Sequence, residues 1–242
     1  MNVLIVHAHP EPQSFTTSML RQAVHALSSQ GHEVNVSDLY AMEWNPVASA
    51  ADFGGRKNEG YLTYALEQRE NVATGSIAPD IAAELDKLLA CDLLIFSFPL
   101  FWCSVPAIMK GWIDRVFVSG KVYGGLRFYD RGGMRGKRAL LAYTCGGRDF
   151  MFDEQGVHGE MDLMLRHMLR GTLGYAGFKV LPSFIGYHVP YIEQAERTAL
   201  LQRYGDYLTK LDQLQPLALP TLDAFDEQMR PRAVVAQRDV IA

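Results

Sequence analysis

Five short apolar runs, at 2–6, 33–37, 93–96, 139–142 and 178–181, constrain this chain more than any other feature. Each leads through a loop towards a stretch with helical spacing of apolar residues, at about 14–29, 79–90, 105–118 and 161–173. Short strands that are apolar on both faces are buried on both faces, and parallel neighbours of that kind are joined by crossover helices. The pattern predicts an α/β fold: a doubly wound parallel five-stranded sheet with helices on both faces, binding ligands beyond the carboxyl ends of its strands. Ser14 is placed to cap the first helix, while Pro79 and Pro106 suit the first turns of the next two.

At 242 residues and 48% hydrophobic, the chain can bury the core such a sheet needs. One domain is expected over 1–212. A helical pattern follows Pro190 to about Leu211, and 213–242, punctuated by Pro216, Pro220 and Pro231, reads as an extended C-terminal tail that packs on a partner subunit. The segment 40–75 carries Gly54-Gly55 and many polar residues, and is expected to form a flap or interface arm. A net charge of −4 with both signs mixed along the chain offers no basic stripe for nucleic acid. The opening Val3-Leu4-Ile5-Val6 is too short for a signal-peptide core, and no apolar run approaches the roughly 18 residues of a membrane span. A cytoplasmic protein is expected. Three dispersed cysteines, Cys91, Cys103 and Cys145, suggest neither a disulfide framework nor a metal site.

Three loops carry the chemistry. His7-Ala8-His9-Pro10-Glu11-Pro12-Gln13-Ser14-Phe15 lacks the glycines of a Rossmann turn, yet a helix starting at Ser14 offers free N–H groups to a phosphate, with His9 and the Ser14 hydroxyl as further donors. The alternative is that Ser14 only caps and His9 only packs. His7-x-His9 makes a poor metal site, because no further ligands accompany it. The run Phe98-Pro99-Leu100-Phe101-Trp102-Cys103-Ser104-Val105-Pro106 is too apolar to stand in water, so a planar ligand on Trp102 or a subunit interface must cover it. After the fourth strand, Gly146-Gly147 allows close approach of backbone to a ring. Downstream, His158 sits between glycines in Gln155-Gly156-Val157-His158-Gly159, where it could balance developing charge or serve structure alone.

Together these strings resemble the NAD(P)H:quinone oxidoreductase (DT-diaphorase) family, whose flavodoxin-like fold agrees with the doubly wound sheet above. The resemblance runs through Ala8-His9, Ser14-Phe15, Ser37-Asp38-Leu39-Tyr40-Ala41-Met42, the FPLxWxxVPAIxKGW string of 98–112, Arg115-Val116-Phe117, Gly146-Gly147 and Gln155–Gly159, over about 1–212. It implies FAD as prosthetic group, with FMN the alternative, and NADH or NADPH as hydride donor to a quinone or similar acceptor in ping-pong, two-electron transfer. On matching positions, His9, Ser14 and Phe15 would hold the cofactor's phosphate end, and Thr16 stands, as a departure, where the family has a polar amide contacting the cofactor. Pro99, Leu100, Phe101, Trp102, Cys103, Thr144, Cys145, Gly146 and Gly147 would line its ring, and Arg197 its adenylate part. The family implies a homodimer with shared sites, in which Tyr123 and Tyr129 join Trp102 and His158 at the substrate mouth. Its catalytic pair is a histidine, matched by His158, and a tyrosine, replaced here by Phe152, which leaves charge stabilisation to His158, Tyr123, Tyr129 or Arg148. An FMN-dependent azo- or nitroreductase and a regulatory flavodoxin-like subunit are the rival readings.

Overall fold

The computed structural model of the chain describes residues 1–232. Four parallel strands, β1 (Asn2–His7), β2 (Glu33–Asp38), β3 (Leu93–Pro99) and β4 (Arg138–Thr144), lie in the order β2-β1-β3-β4. The fifth position is shared by two short strands, β5 (Lys179–Val180) and β6 (Phe184–Gly186), both parallel to β4. Pro182 falls in the break between them, where a residue without an N–H cannot donate to the ladder. The fifth strand therefore continues past the 178–181 expected from sequence, and the carboxyl edge of the sheet on that side lies beyond Gly186. Otherwise the order is the doubly wound one predicted.

Alternate residues of the strands feed two cores. Leu4, Val6, Leu94, Phe96, Phe98 and Leu141 face one side, and Val3, Ile5, Leu93, Ile95, Leu140 and Ala142 the other. On the second side lie α1 (Phe15–Ser29), through Met19, Leu20 and Leu27, and a C-terminal helix at Gln194–Leu208, through Tyr204 and Leu208. The first side is covered by helices at Pro79–Ala90 and Ala107–Val116, which match the expected second and third helices within two residues at each end. The expected helix at 161–173 is a short α-helix, Met161–Met164, followed by a π-helical stretch, His167–Gly174.

An unpredicted helix, α2 (Tyr64–Thr74), stands in the 40–75 excursion. Its inward residues are Glu67, Gln68 and Asn71, all buried, so the apolar periodicity that betrays an amphipathic helix is absent. Each buried group has partners instead. Glu67 accepts the N–H groups of Lys57 (2.8 Å) and Asn58 (3.0 Å), Gln68 accepts from Ser119 N–H (3.2 Å), and Asn71 donates to Gly55 O (2.9 Å). With α2 in place, the remaining helices take the numbers α3 (Pro79–Ala90), α4 (Ala107–Val116), α5 (Met161–Met164) and α6 (Gln194–Leu208).

Arg115 of α4 pins this excursion down. It is 3% exposed and binds Asp52 (2.9 Å), Asp80 (2.7 Å) and Asn45 O (3.1 Å), with its guanidinium 4.7 Å above the Trp44 ring. Burial alone would raise the Asp52 carboxyl, but hydrogen bonds from Arg115, Tyr64 and the Ser49 N–H outweigh it and hold Asp52 below the usual carboxylate range. One turn earlier, a Cβ on Gly111 would sit 2.2 Å from Pro46 O, so the excursion crosses α4 where only hydrogen is tolerated. Trp112, fully buried, donates its indole N–H to Glu84 (2.8 Å). The Gly111-Trp112 part of the long string is thus explained by packing of the arm and helices.

Past α6, Leu217 N–H donates to Val180 O (2.8 Å), Leu222 N–H to Asp130 (2.9 Å), and Arg131 pairs with Asp223 (2.7 Å). This part of the tail lies on the chain's own fifth-strand side. Residues 233–242 of the expected partner-packing tail lie outside the described residues. Among the described residues, no helix is long and apolar enough to cross a membrane, and no cluster of His, Cys, Asp or Glu could hold a metal.

Three neighbouring changes on α4 should separate in urea unfolding. Arg115→Ala leaves Asp52 buried without its cation and should cost about 3–5 kcal/mol, and Gly111→Ala should cost at least about 1–3 kcal/mol through overpacking. Lys110→Ala, which removes a pair to Asp114 exposed on both sides, should cost no more than about 0.5 kcal/mol. A Lys110→Ala loss equal to that of Arg115→Ala would refute the assignment of the clamp.

Candidate active site

All β-to-α connections leave the sheet at its carboxyl edge, so the three loops singled out in the sequence meet there. The ladder extends into them: Ala8 N–H donates to Ser97 O (2.9 Å), Leu100 N–H to Thr144 O (2.8 Å), and Cys145 N–H to Gly186 O (2.9 Å).

In the first loop Ser14 caps α1, its hydroxyl accepting Thr17 N–H (3.1 Å). Phe15 and Thr16, the first two helical residues, keep N–H groups with no partner among the described residues, which is the anion-binding property of a helix start. His9 accepts Glu11 N–H on Nδ1 (3.0 Å), so in its neutral form the proton sits on Nε2. Burial lowers its pKa, which keeps that tautomer populated. His7 is different. It is 1% exposed and bracketed by Ser97 (3.0 Å) and Thr17 (3.2 Å), and burial lowers its pKa to about 4. It is a neutral core residue. The Thr16 hydroxyl meets Thr144 Oγ1 (2.8 Å) in a buried link between the first and third loops, and the Arg197 guanidinium stands 5.7 Å over the Phe15 ring, fixed by the carbonyls of Val189 (2.7 Å) and Ile192 (3.2 Å).

The second loop is a two-residue hairpin. Phe101 and Ser104 exchange both backbone hydrogen bonds at 3.0 Å, with Trp102 and Cys103 both left-handed, at φ +49° and +58°. Such turns favour Asn-Gly, and two L-residues in this region cost about 1–2 kcal/mol each. In this turn the N–H groups of Trp102 and Cys103 have no partners among the described residues, and Trp102 is 99% exposed. The Ser104 hydroxyl, 2.9 Å from His167 Nε2, ties the hairpin to the π-helical stretch.

In the third loop Gly146 and Gly147 likewise have unpartnered N–H groups among the described residues. Cys145 is buried, which raises its pKa, and its Sγ lies 3.6 Å from Gly147 O. Phe152 packs over Gly147, where a Cβ would lie 2.6 Å from its ring. The ring of the exposed His158 lies tilted at 31° against Phe152 with centroids 4.9 Å apart, and the His158 backbone N–H donates to Met151 O (3.0 Å). Tyr123 and Tyr129 cluster with Phe128 and Tyr175 and pair with none of the rings of Phe152, His158 or Tyr187 in this chain.

Two residues that sequence reasoning passed over belong to this edge. Tyr187 lies 5.9 Å from Phe152, its hydroxyl pushed up to about 12 by burial. His188, left-handed at φ +56°, donates its N–H to Gly147 O (2.8 Å) and places Nδ1 3.0 Å from Gly146 O. Both directly follow β6, the part of the fifth strand that the apolar pattern did not reach.

A parallel doubly wound sheet, with an unpaired helix start, a strained aromatic hairpin and a double-glycine loop along one edge, defines a flavodoxin-like α/β protein. A family model described as flavodoxin-like fold matches residues 1–208. The chain is 40% identical to NAD(P)H dehydrogenase [quinone] 1 of Rattus norvegicus, over 92% of this chain and 82% of that protein. It is 41% identical to human ribosyldihydronicotinamide dehydrogenase [quinone], over 89% and 94% respectively. Among solved structures, a Klebsiella pneumoniae protein provisionally designated a quinone reductase superposes with a TM-score of 0.93 at 35% identity, covering 98% of this chain and 95% of the other. The chain belongs to the NAD(P)H:quinone oxidoreductase family of flavodoxin-like proteins.

His7 gives a pH signature to the folded edge. Its pKa is about 4 folded and about 6.5 unfolded. The stability it contributes is therefore complete above pH 6.5 and is lost as pH falls towards 4, by up to about 3 kcal/mol. The difference in unfolding free energy between wild type and His7→Gln should shrink across that window. A difference constant from pH 7.5 to 4 would overturn the assignment.

Proposed function

We propose that this chain is a flavin-dependent NAD(P)H:quinone oxidoreductase, holding FAD and passing two electrons from NADH or NADPH to a quinone in ping-pong fashion. It would act as a cytoplasmic homodimer with active sites at the subunit interface. The observation that carries this reading is the set of six N–H groups unpartnered among the described residues, two from each loop, along one edge beside an exposed indole. That set fits a flavin: a helix start for phosphate, and outward N–H groups on two loops for the polar rim of a planar ring.

In this reading Phe15, Thr16, Ser14 and His9 hold the phosphate end, and the Arg197–Phe15 platform receives the adenylate, which favours FAD over FMN. Pro99, Leu100, Phe101, Trp102 and Cys103 form one wall of the ring site, and Thr144, Cys145, Gly146 and Gly147 the other. A flavin held there would supply the hydride chemistry between reduced nicotinamide and quinone. The chain supplies alignment, exclusion of water and charge balance. His158 carries the charge-balancing role, with its ring tilted against Phe152. Phe152 has no hydroxyl to add, and Tyr187 behind it keeps its proton at neutral pH, so it can donate a hydrogen bond or steady a water. The relatives' names divide between an NAD(P)H donor and a ribosyldihydronicotinamide donor; the dinucleotide is proposed here. Tyr123 and Tyr129 face the substrate mouth of the partner subunit.

Purified protein should be yellow and release FAD on denaturation, as identified by chromatography. Anaerobic NADPH or NADH should bleach the flavin band and benzoquinone restore it. Release of FMN would transfer the reading to an azo- or nitroreductase, and a colourless protein that takes up neither flavin would leave a regulatory or binding role. In stopped flow, His158→Ala should slow flavin reduction by about tenfold or more, and Phe152→Tyr should speed it. An unchanged His158→Ala rate with normal FAD binding would remove the histidine from catalysis.

A further inference from the structure

One short turn beyond β6 takes up three successive carbonyls of the double-glycine loop. Val189 N–H donates to Cys145 O (3.1 Å), His188 N–H donates to Gly147 O (2.8 Å), and the His188 ring sets Nδ1 3.0 Å from Gly146 O. A carbonyl only accepts, so Nδ1 carries the proton in this contact. Gly147 O also receives the Cys145 thiol, with Sγ at 3.6 Å. His188 serves its two carbonyls, one through its backbone and one through its ring, from a left-handed conformation at φ +56°. Histidine is among the few non-glycine residues enriched in that region. The ring is braced on Tyr191, with centroids 4.8 Å apart.

In a trans peptide each N–H points opposite to the carbonyl of the residue before it. Drawing the carbonyls of Cys145, Gly146 and Gly147 towards the turn therefore sends the N–H groups of Gly146, Gly147 and Arg148 the other way. All three lack partners among the described residues. Strand β4 lies between β3 and β6, so away from the turn means towards the loop of β3 that carries the Trp102 hairpin. The unpaired donors face the space between the two walls of the ring site. At an exposed edge water could satisfy the carbonyls as readily as the N–H groups. Here the protein satisfies only the carbonyls, and the donors are what it leaves over.

We propose that His188 is a positioning residue of the flavin site: it fixes the Gly146–Gly147 and Gly147–Arg148 peptide planes so that their N–H groups face the flavin ring and stabilise the negative charge gained on reduction. The proposal rests on the oxidoreductase reading above. His188 stays on the far side of the loop and acts through it, touching neither cofactor nor substrate. Its ring governs the Gly147 N–H and its backbone the Arg148 N–H. Dipoles fixed in advance act where charge develops without reorganising, and they supply what Phe152, lacking a hydroxyl, does not.

Two substitutions separate the ring from the backbone. His188→Gly keeps the left-handed turn and its backbone bond but removes the ring donor. His188→Asn tolerates the same backbone and carries its amide Nδ2 one bond beyond Cγ, where histidine has Nδ1. In the flavin-loaded protein, the two-electron midpoint potential measured by dye equilibration should fall in His188→Gly by about 30 mV, a tenfold loss of preference for the reduced form. It should return in His188→Asn. A potential unchanged in His188→Gly, or equally low in both variants, overturns the proposal. In flavin-free protein, the Gly147 amide should give one sharp NMR signal in wild type and His188→Asn, and a broadened or multiple signal in His188→Gly. Wild-type protein that takes up no flavin would remove the oxidoreductase reading and with it the redox role, whereas a Gly147 amide indifferent to the ring would remove the clamp itself.

Discussion

Every residue of β3, from Leu93 to Pro99, is buried, and the rest of the molecule answers to that constraint. A central parallel strand with no exposed face must be covered on both sides, and its neighbours can be reached only by crossovers that return to the opposite end of the sheet. Helices α1 and α6 therefore close one face, and α3 and α4 the other. All connecting loops that follow strands gather along one edge, and chemistry has only that edge to use. The position of the site is thus a consequence of burial, before any polar residue is considered.

At the edge itself the structure stores local cost. The Trp102-Cys103 hairpin holds two L-residues in left-handed backbone, and several groups keep it there: the paired Phe101–Ser104 bonds, the Leu100 link to Thr144, and the Ser104–His167 contact. What the strain achieves is orientation, since the turn exposes two N–H groups and an indole together. The Arg115 clamp plays the complementary part on the far side of α4. By fixing Asp52 and Asn45, it turns 40–78 into an ordered arm carrying α2.

Much of this was legible in the residues. Periodicity located the first four strands and α1, α3 and α4, because each has a strong apolar signal and a recognisable start at Ser14, Pro79 or Pro106. The three loops were legible because an apolar run such as Phe98–Val105 has no business in water. Helix α2 was not legible, since the groups it buries are Glu67, Gln68 and Asn71, whose partners lie 9–51 positions away in the chain. The end of the fifth strand was hidden by Pro182, and with it Tyr187 and His188, which follow β6 onto the binding edge.

By itself the sequence determined the layers, the parallel doubly wound sheet and the edge that binds, because those follow from which side chains avoid water and from the spacing of turns. Only the tertiary structure decided which polar groups are spent and which are left over. It showed His7 as a neutral core residue, the Thr16 hydroxyl given to Thr144, and Arg115 spent on Asp52 and Asp80. The reason is physical: burial is a property each residue carries along the chain, whereas a hydrogen bond depends on which distant residue the fold places within about 3 Å.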